Sequence, residues 1–146
     1  MRISSKCCYA VAALTEMALG ETSECIAVAT LAQRLGISKI YLEQVFSVLK
    51  RSGLISSTKG AQGGYTLRDK PDHINLNDIF APIESYLFEP PEKSIENIPS
   101  ELGLTMDALV FRPLEEAVVQ SLRSVTLADL AAGVRQRRNN GYMYYI

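Results

Sequence analysis

Leu31-Ala32-Gln33-Arg34-Leu35-Gly36-Ile37-Ser38-Lys39-Ile40-Tyr41-Leu42-Glu43-Gln44-Val45 is the stretch that decides the fold. Val28, Leu31, Ala32 and Leu35 recur at helical spacing, and the pattern stops at Gly36. Ser38 is then placed to N-cap a second helix, whose buried side is Leu42, Val45, Phe46 and Leu49 and which ends at Ser52-Gly53. Two short helices joined by Gly36-Ile37-Ser38, with the small Ala32 at their crossing, have the spacing of a helix-turn-helix. The outer face of the second helix displays Ser38, Lys39, Tyr41, Glu43, Gln44, Ser47 and Arg51. Such residues can read a DNA groove: glutamine pairs bidentately with adenine, glutamate accepts from the cytosine amino group, and Ser, Lys and Arg suit phosphates. An ordinary helical hairpin shares this periodicity but needs no basic, glycine-rich segment behind it.

Such a segment follows. Leu54 to Thr58 and Tyr65 to Leu67 are β-rich and are joined by Lys59-Gly60-Ala61-Gln62-Gly63-Gly64, a hairpin loop whose three glycines permit positive φ. Lys59 with Gly60, Gly63 and Gly64 can bring the main chain close to a minor groove or phosphate backbone; the competing reading is a tight turn and nothing more. Upstream, Cys7, Ala10, Val11, Leu14, Met17 and Ala18 predict a helix over about residues 4 to 19, with Gly20 at its C-cap. A short apolar step from Cys25 to Ala27 precedes the helix-turn-helix.

Downstream, Pro71 breaks the chain, and Asn75 with Asp78 predicts a capping box opening a helix that Pro82 kinks or ends. Residues 88 to 106, with Pro90, Pro91, Pro99 and Gly103, read as one long connection. A further helix carries Val110, Leu114, Ala117, Val118, Leu122 and Val125, with Pro113 kinking it or in its first turn. Thr126 and Asp129 cap a last helix bearing Leu127, Leu130, Ala131 and Val134, with Arg135, Arg137 and Arg138 at its C-terminal end. The chain is expected to leave that helix at Asn139 and close on Tyr142, Met143, Tyr144, Tyr145 and Ile146.

With 146 residues, 47% hydrophobic and 21% charged, the chain suits one globular domain, or a small domain with an appended dimerisation element, and excludes disordered and fibrous classes. Its apolar runs fall short of the roughly 18 residues a membrane helix needs, and Met1 to Lys6 lacks the apolar core of a signal peptide, so a cytoplasmic protein is expected. The net charge of -1 hides an asymmetry. Residues 31 to 70 hold Arg34, Lys39, Lys50, Arg51, Lys59, Arg68 and Lys70 against Glu43 and Asp69, a net +5, whereas residues 81 to 107 hold Lys93 against six carboxylates. A basic stretch of this kind is the footprint of a nucleic-acid-binding face.

Little else carries chemistry. His73, the only histidine, reads as a surface loop residue, and no nucleophile and base fall together, so no enzyme is expected. Three cysteines form no disulfide framework. Cys7 and Cys8 read as packing residues. Cys25 precedes a helix N-terminus, which lowers a thiol pKa and makes it a candidate oxidation sensor; a buried structural thiol is the alternative.

Several segments together make the chain recognisable. Met1-Arg2-Ile3-Ser4-Ser5-Lys6, Gly36-Ile37-Ser38 leading to Tyr41-Leu42-Glu43-Gln44, Leu49-Lys50-Arg51-Ser52-Gly53-Leu54, Lys59-Gly60-Ala61-Gln62-Gly63-Gly64-Tyr65 and Val125-Thr126-Leu127-Ala128-Asp129-Leu130 resemble motifs of the Rrf2 family of bacterial winged-helix regulators. The resemblance implies a mainly α fold with a small β-hairpin wing, a winged helix-turn-helix plus a long C-terminal dimerisation helix. It divides the chain into a DNA-binding domain (1–80), a linker with dimerisation helices (81–138) and a tail (139–146). It also implies a homodimer on a palindromic operator in double-stranded DNA, with Tyr41, Glu43 and Gln44 facing bases and Ser38, Lys59 and the wing glycines facing backbone and minor groove. Lys59 stands where many members carry arginine, and a lysine ammonium makes no bidentate contact.

Cluster-binding members of that family place three cysteines before the long helix. Residues 88 to 106 here hold neither Cys nor His, so no iron-sulfur cofactor is expected. The ending Gly141-Tyr142-Met143-Tyr144-Tyr145-Ile146 looks like that of the cysteine-metabolism repressor branch, whose members are controlled by cysteine synthase (O-acetylserine thiol-lyase). That enzyme accepts C-terminal peptides ending in Ile, so the resemblance makes Tyr144, Tyr145 and Ile146 the partner-binding residues. Packing of the same aromatics onto the dimer is the other reading. The expectation is a repressor of sulfur or cysteine metabolism; the alternatives are a thiol-switched regulator using Cys25 and an interaction module with a vestigial DNA surface.

Overall fold

The computed structural model describes residues 2–20, 24–84 and 98–143. Helix α1 (Ser5–Leu19) begins where the Ser4 hydroxyl accepts a hydrogen bond from the Cys7 N–H. Ser4 is itself held from far along the chain: its N–H and hydroxyl both donate to Glu84 Oε1, at 2.7 and 2.6 Å. Cys7, Ala10, Leu14, Met17 and Ala18 lie buried on one side, as their spacing predicts. Cys8, about 100° around the helix, is exposed, so only the first of the paired thiols packs. Gly20 caps the helix in an extended conformation, φ -80°, so its special freedom is not used there. The last carbonyls of α1, those of Ala18 and Leu19, accept instead from the Arg135 guanidinium at 3.4 Å.

Helices α2 (Val28–Leu35) and α3 (Lys39–Arg51) form the helix-turn-helix. Gly36 turns the chain at φ +64°, a left-handed conformation that costs other residues about 1–2 kcal/mol, and the Ile37 N–H returns to the Ala32 carbonyl at 2.9 Å. The Ser38 hydroxyl then accepts from the Tyr41 N–H at 3.4 Å and starts α3. Leu42, Val45, Phe46 and Leu49 are fully buried against α1 and α2. Burial of such side chains stabilises by about 1.5–3 kcal/mol each, which fixes α3 by its inner face alone.

Strands β1 (Ile55–Thr58) and β2 (Gly64–Leu67) pair antiparallel, Ile55 opposite Leu67 and Thr58 opposite Gly64. The step before α2 adds a bridge, with Ile26 and Tyr65 exchanging backbone hydrogen bonds of 3.0 and 2.9 Å. Of the three loop glycines, only Gly60 takes a positive φ, +116°. Gly63 and Gly64 answer to crowding: a Cβ on Gly63 would strike the Thr58 carbonyl, and one on Gly64 would come within 2.5 Å of the Ile26 carbonyl.

After a 3-10 turn at Pro71–His73, α4 (Leu76–Phe80) carries the expected Asn75–Asp78 capping box and ends before Pro82. The expected connection 88–106 gives way to helix at Ser100. Helix α5 (Ser100–Met106), a wide π turn (Asp107–Phe111) and α6 (Arg112–Arg123) follow without a break. Pro113 lies just beyond the π turn, where the altered hydrogen-bond ladder accommodates a residue that has no N–H to donate. Helix α7 (Leu127–Met143) starts at the Thr126–Asp129 capping box and runs past Asn139, where the sequence predicts an exit. A nucleated helix gains one hydrogen bond per added residue, which outweighs the low propensity of Asn139, Asn140 and Gly141.

Leu127 and Ala131 of α7 belong to the same core as α1 and α3, so one core draws on both sides of the expected boundary at residue 80. Arg135 and Arg138 serve α1 rather than the end of their own helix; Arg138 pairs with Glu16 at 3.1 Å. Among the described residues no helix is long and apolar enough to cross a membrane.

Candidate nucleic-acid interface

Because the inner face of α3 is locked into the core, its outer face has a fixed direction. Lys39, Glu43, Gln44, Ser47 and Arg51 are all exposed on it, with Ser38 exposed at its cap. Lys39 Nζ and Glu43 Oε1 stand 3.6 Å apart, an exposed i,i+4 pair that orients both at little energetic gain. Tyr41 occupies the flank rather than the crest: it is half-buried, its ring edge-on to Tyr9 of α1 with centroids 5.5 Å apart.

The hairpin is tied to α3 twice. The Phe46 and Tyr65 rings meet edge-to-face at 4.9 Å, and Lys50 Nζ donates to Ser57 Oγ at 2.6 Å. Lys59 and Gly60 are exposed at its tip, whereas Gly63 and Gly64 are half-buried, their lack of side chain spent on the protein's own backbone. Asp69 beyond β2 is held below the usual carboxylate range, first by the Lys70 N–H and then by His73, 3.0 Å away. His73 is exposed, as expected of a surface residue.

Sequence reasoning overlooked two residues. Lys50 reads as one more basic residue until its contact with the wing is seen. Ile40 lies outside the predicted buried set of Leu42, Val45, Phe46 and Leu49 and outside the predicted polar face, and it is 70% exposed. A helical wheel contained the signal, since Ile40 lies three and four residues before Glu43 and Gln44.

Cys25 is exposed and lines a cleft of about 580 Å³ with Glu16, Arg34 and Gln62, between the end of α1, the start of α2 and the wing. Cys7 is different in kind: burial, then the charges of Glu84 and Cys8, push its thiol up to about 12, so it stays protonated and inert. Among the described residues no three His, Cys, Asp or Glu side chains converge. A buried Cys7 and an exposed Cys8 diverge on one helix, and the chain holds only one further cysteine, so its thiols do not suit an iron-sulfur cluster. The tail residues Tyr144, Tyr145 and Ile146 lie outside the described residues.

Comparison with known proteins agrees with this geometry. The family model Rrf2, described as an iron-dependent transcriptional regulator, matches residues 3–133. The HTH-type transcriptional regulator CymR of Bacillus subtilis is 33% identical over 146 residues, all of both chains. Among solved structures, T. potens IscR superposes with a TM-score of 0.74 at 31% identity, covering 99% of this chain and 97% of that one. CymR (YrzC), the global cysteine regulator of B. subtilis, superposes with a TM-score of 0.73 at 31% identity, covering 90% and 97%.

Proposed function

The chain belongs to the Rrf2 family of transcriptional regulators, and from that premise we propose that it is a homodimeric repressor of sulfur and cysteine metabolism genes, governed by a protein partner. It is a DNA-binding regulator and not an enzyme. The observation that carries the reading is the exposed polar face of α3, held rigidly on a buried inner face with the Lys59 wing tip beside it. Glu43 and Gln44 read bases, Tyr41 reaches the groove wall from the flank, and Ser38, Lys39, Arg51, Lys59 and Gly60 meet phosphates and minor groove. Gly63 and Gly64 shape the wing that presents them.

The homodimer is supported by the apolar side of α5–α6, where Leu104 and Leu109 are more than 70% exposed. Two copies joined there would set their recognition helices into successive major grooves of a palindrome, about 34 Å apart. The cysteine branch is supported by the full-length match to CymR, which includes the tail. There Ile146, with Tyr144 and Tyr145, would enter the active-site cleft of cysteine synthase and offer its free carboxylate in place of the amino-acid substrate's. The protein would act in the cytoplasm and need no cofactor.

The test is a titration of cysteine synthase from the same organism into the full chain and a chain lacking Ile146, with DNA anisotropy followed in parallel. Binding that vanishes with Ile146 and changes operator affinity is expected; no binding by either chain removes the partner. DNA affinity should fall steeply with salt, and Gln44→Ala should cost about 1–3 kcal/mol at one base position. Salt-independent or sequence-blind binding would leave a vestigial DNA surface. A second reading, a thiol switch, is favoured by the exposure of Cys25 in its cleft near Arg34. It requires peroxide to alter DNA binding and Cys25→Ser to abolish that response.

A further inference from the structure

We propose that Ile40 is a specificity-determining residue that packs against the C5-methyl group of a thymine in the major groove. The inference rests on the reading of α3 as the recognition helix and adds to it a contact of a different chemical kind. A single exposed isoleucine is ordinary on a protein surface. The setting of this one is not.

Ile40 occupies the first turn of α3, the part of a recognition helix that meets base edges, and is 70% exposed. Its neighbours on the same face are Glu43 and Gln44 at i+3 and i+4 and Ser47 at i+7, all exposed. Elsewhere in the described chain the large exposed apolar side chains lie at its start, Ile3 and Tyr9, or gather on the run from Leu102 to Leu114. That run is an extended apolar patch suited to another protein chain. A lone β-branched side chain ringed by Lys39, Glu43, Gln44 and Ser47 is a poor centre for such an interface.

It matches the major groove, where the one apolar group among donors and acceptors is the thymine methyl. The match is also economical in entropy, because isoleucine is stiff at χ1 and loses little freedom on contact. Ile40 and Gln44 are one helical turn apart, about 6 Å along the axis, against about 3.4 Å per base pair. The thymine should therefore sit one or two base pairs from the position that Gln44 reads.

The experiment selects a binding site from a random duplex library with the full-length protein, then replaces each thymine of that site in turn by deoxyuridine, which removes only the methyl group. Anisotropy should find one thymine per half-site whose replacement weakens binding about fourfold, and about 15-fold when both half-sites are changed. Ile40→Ala should bind the thymine and uracil duplexes equally well, and Ile40→Val should keep part of the discrimination. Retention of full discrimination by Ile40→Ala, or the absence of any methyl-sensitive position, overturns the proposal even if Gln44→Ala relaxes a base preference. Failure to select any site overturns the DNA-reading assignment as well, so the two failures are distinct.

Discussion

Helix α3 and the run from α5 to α6 are both amphipathic, and they resolve that character in opposite ways. Helix α3 sinks Leu42, Val45, Phe46 and Leu49 into the core and offers its polar side to solvent. The run from Ser100 to Arg123 contains no buried residue and leaves Leu102, Leu104, Leu109, Val110, Phe111 and Leu114 uncovered, while its α6 segment packs against α4. A helix of the first kind is complete within its own chain. One of the second kind carries hydrophobic free energy that is realised only when something covers it. On the proposed function, the contrast separates a reading element, whose outer chemistry must stay free, from an assembly element, whose apolar chemistry must be satisfied from outside.

The sharpest way to break that contrast is Leu109→Glu. The position is 73% exposed, so the single chain should keep its helical circular dichroism while the proposed dimer falls apart in analytical ultracentrifugation. A charge in an apolar interface is strongly disfavoured, and operator affinity should fall on the order of 100-fold or more. An unchanged mass would show that the α5–α6 face is not where copies meet.

Phe46→Ala probes the other side of the comparison. It empties a fully buried site and removes the edge-to-face contact with Tyr65, so urea unfolding should lose about 3–5 kcal/mol. The mutant should also lose DNA affinity because one of the two ties between wing and helix is gone, leaving only the Lys50–Ser57 hydrogen bond. A loss below about 1 kcal/mol would mean that α3 is not secured by its inner face.

The smallest effect lies just beyond the α5–α6 run, where the Thr126–Asp129 capping box opens α7, the helix that rejoins the core shared with α3. Thr126→Ala should cost about 1 kcal/mol in thermal or urea unfolding at neutral pH. Asp129 is held below its ordinary value of 3.8, first by the Thr126 N–H and then by its hydroxyl. As pH falls the unfolded chain takes up this proton before the folded one does, so the cap's contribution is complete above about pH 3.8 and is lost as pH drops through the lowered folded value. Asp129→Asn should remove that acid-limb dependence; an acid limb identical to the native one would show that the cap carries no pH-linked stability.

Much of this molecule is legible residue by residue. The turn at Gly36, the cap at Ser38, the inner face of α3, the hairpin and both late capping boxes fall where spacing and cap chemistry put them, because each is decided within a few residues. The errors have a shared cause. Whether Gly64 serves positive φ or close approach depends on the Ile26 carbonyl, nearly 40 residues earlier in the chain. Arg135 and Arg138 read as the end of their own helix but reach the end of α1. Ile40 drew no assignment to either face of its helix, because spacing places it beside Glu43 and Gln44 while its side chain is aliphatic.

The helices, their caps, the polar face of α3 and the likeness to a family of regulators can all be read along the chain. Packing in three dimensions adds that α7 returns to close the core over α1, that α5–α6 keeps its apolar side outside, and that Cys7 is sealed while Cys25 opens onto a cleft. The difference is one of range. Caps, turns and periodicity are settled by hydrogen bonds and torsions a few residues apart, whereas burial is settled by which distant surface arrives to exclude water.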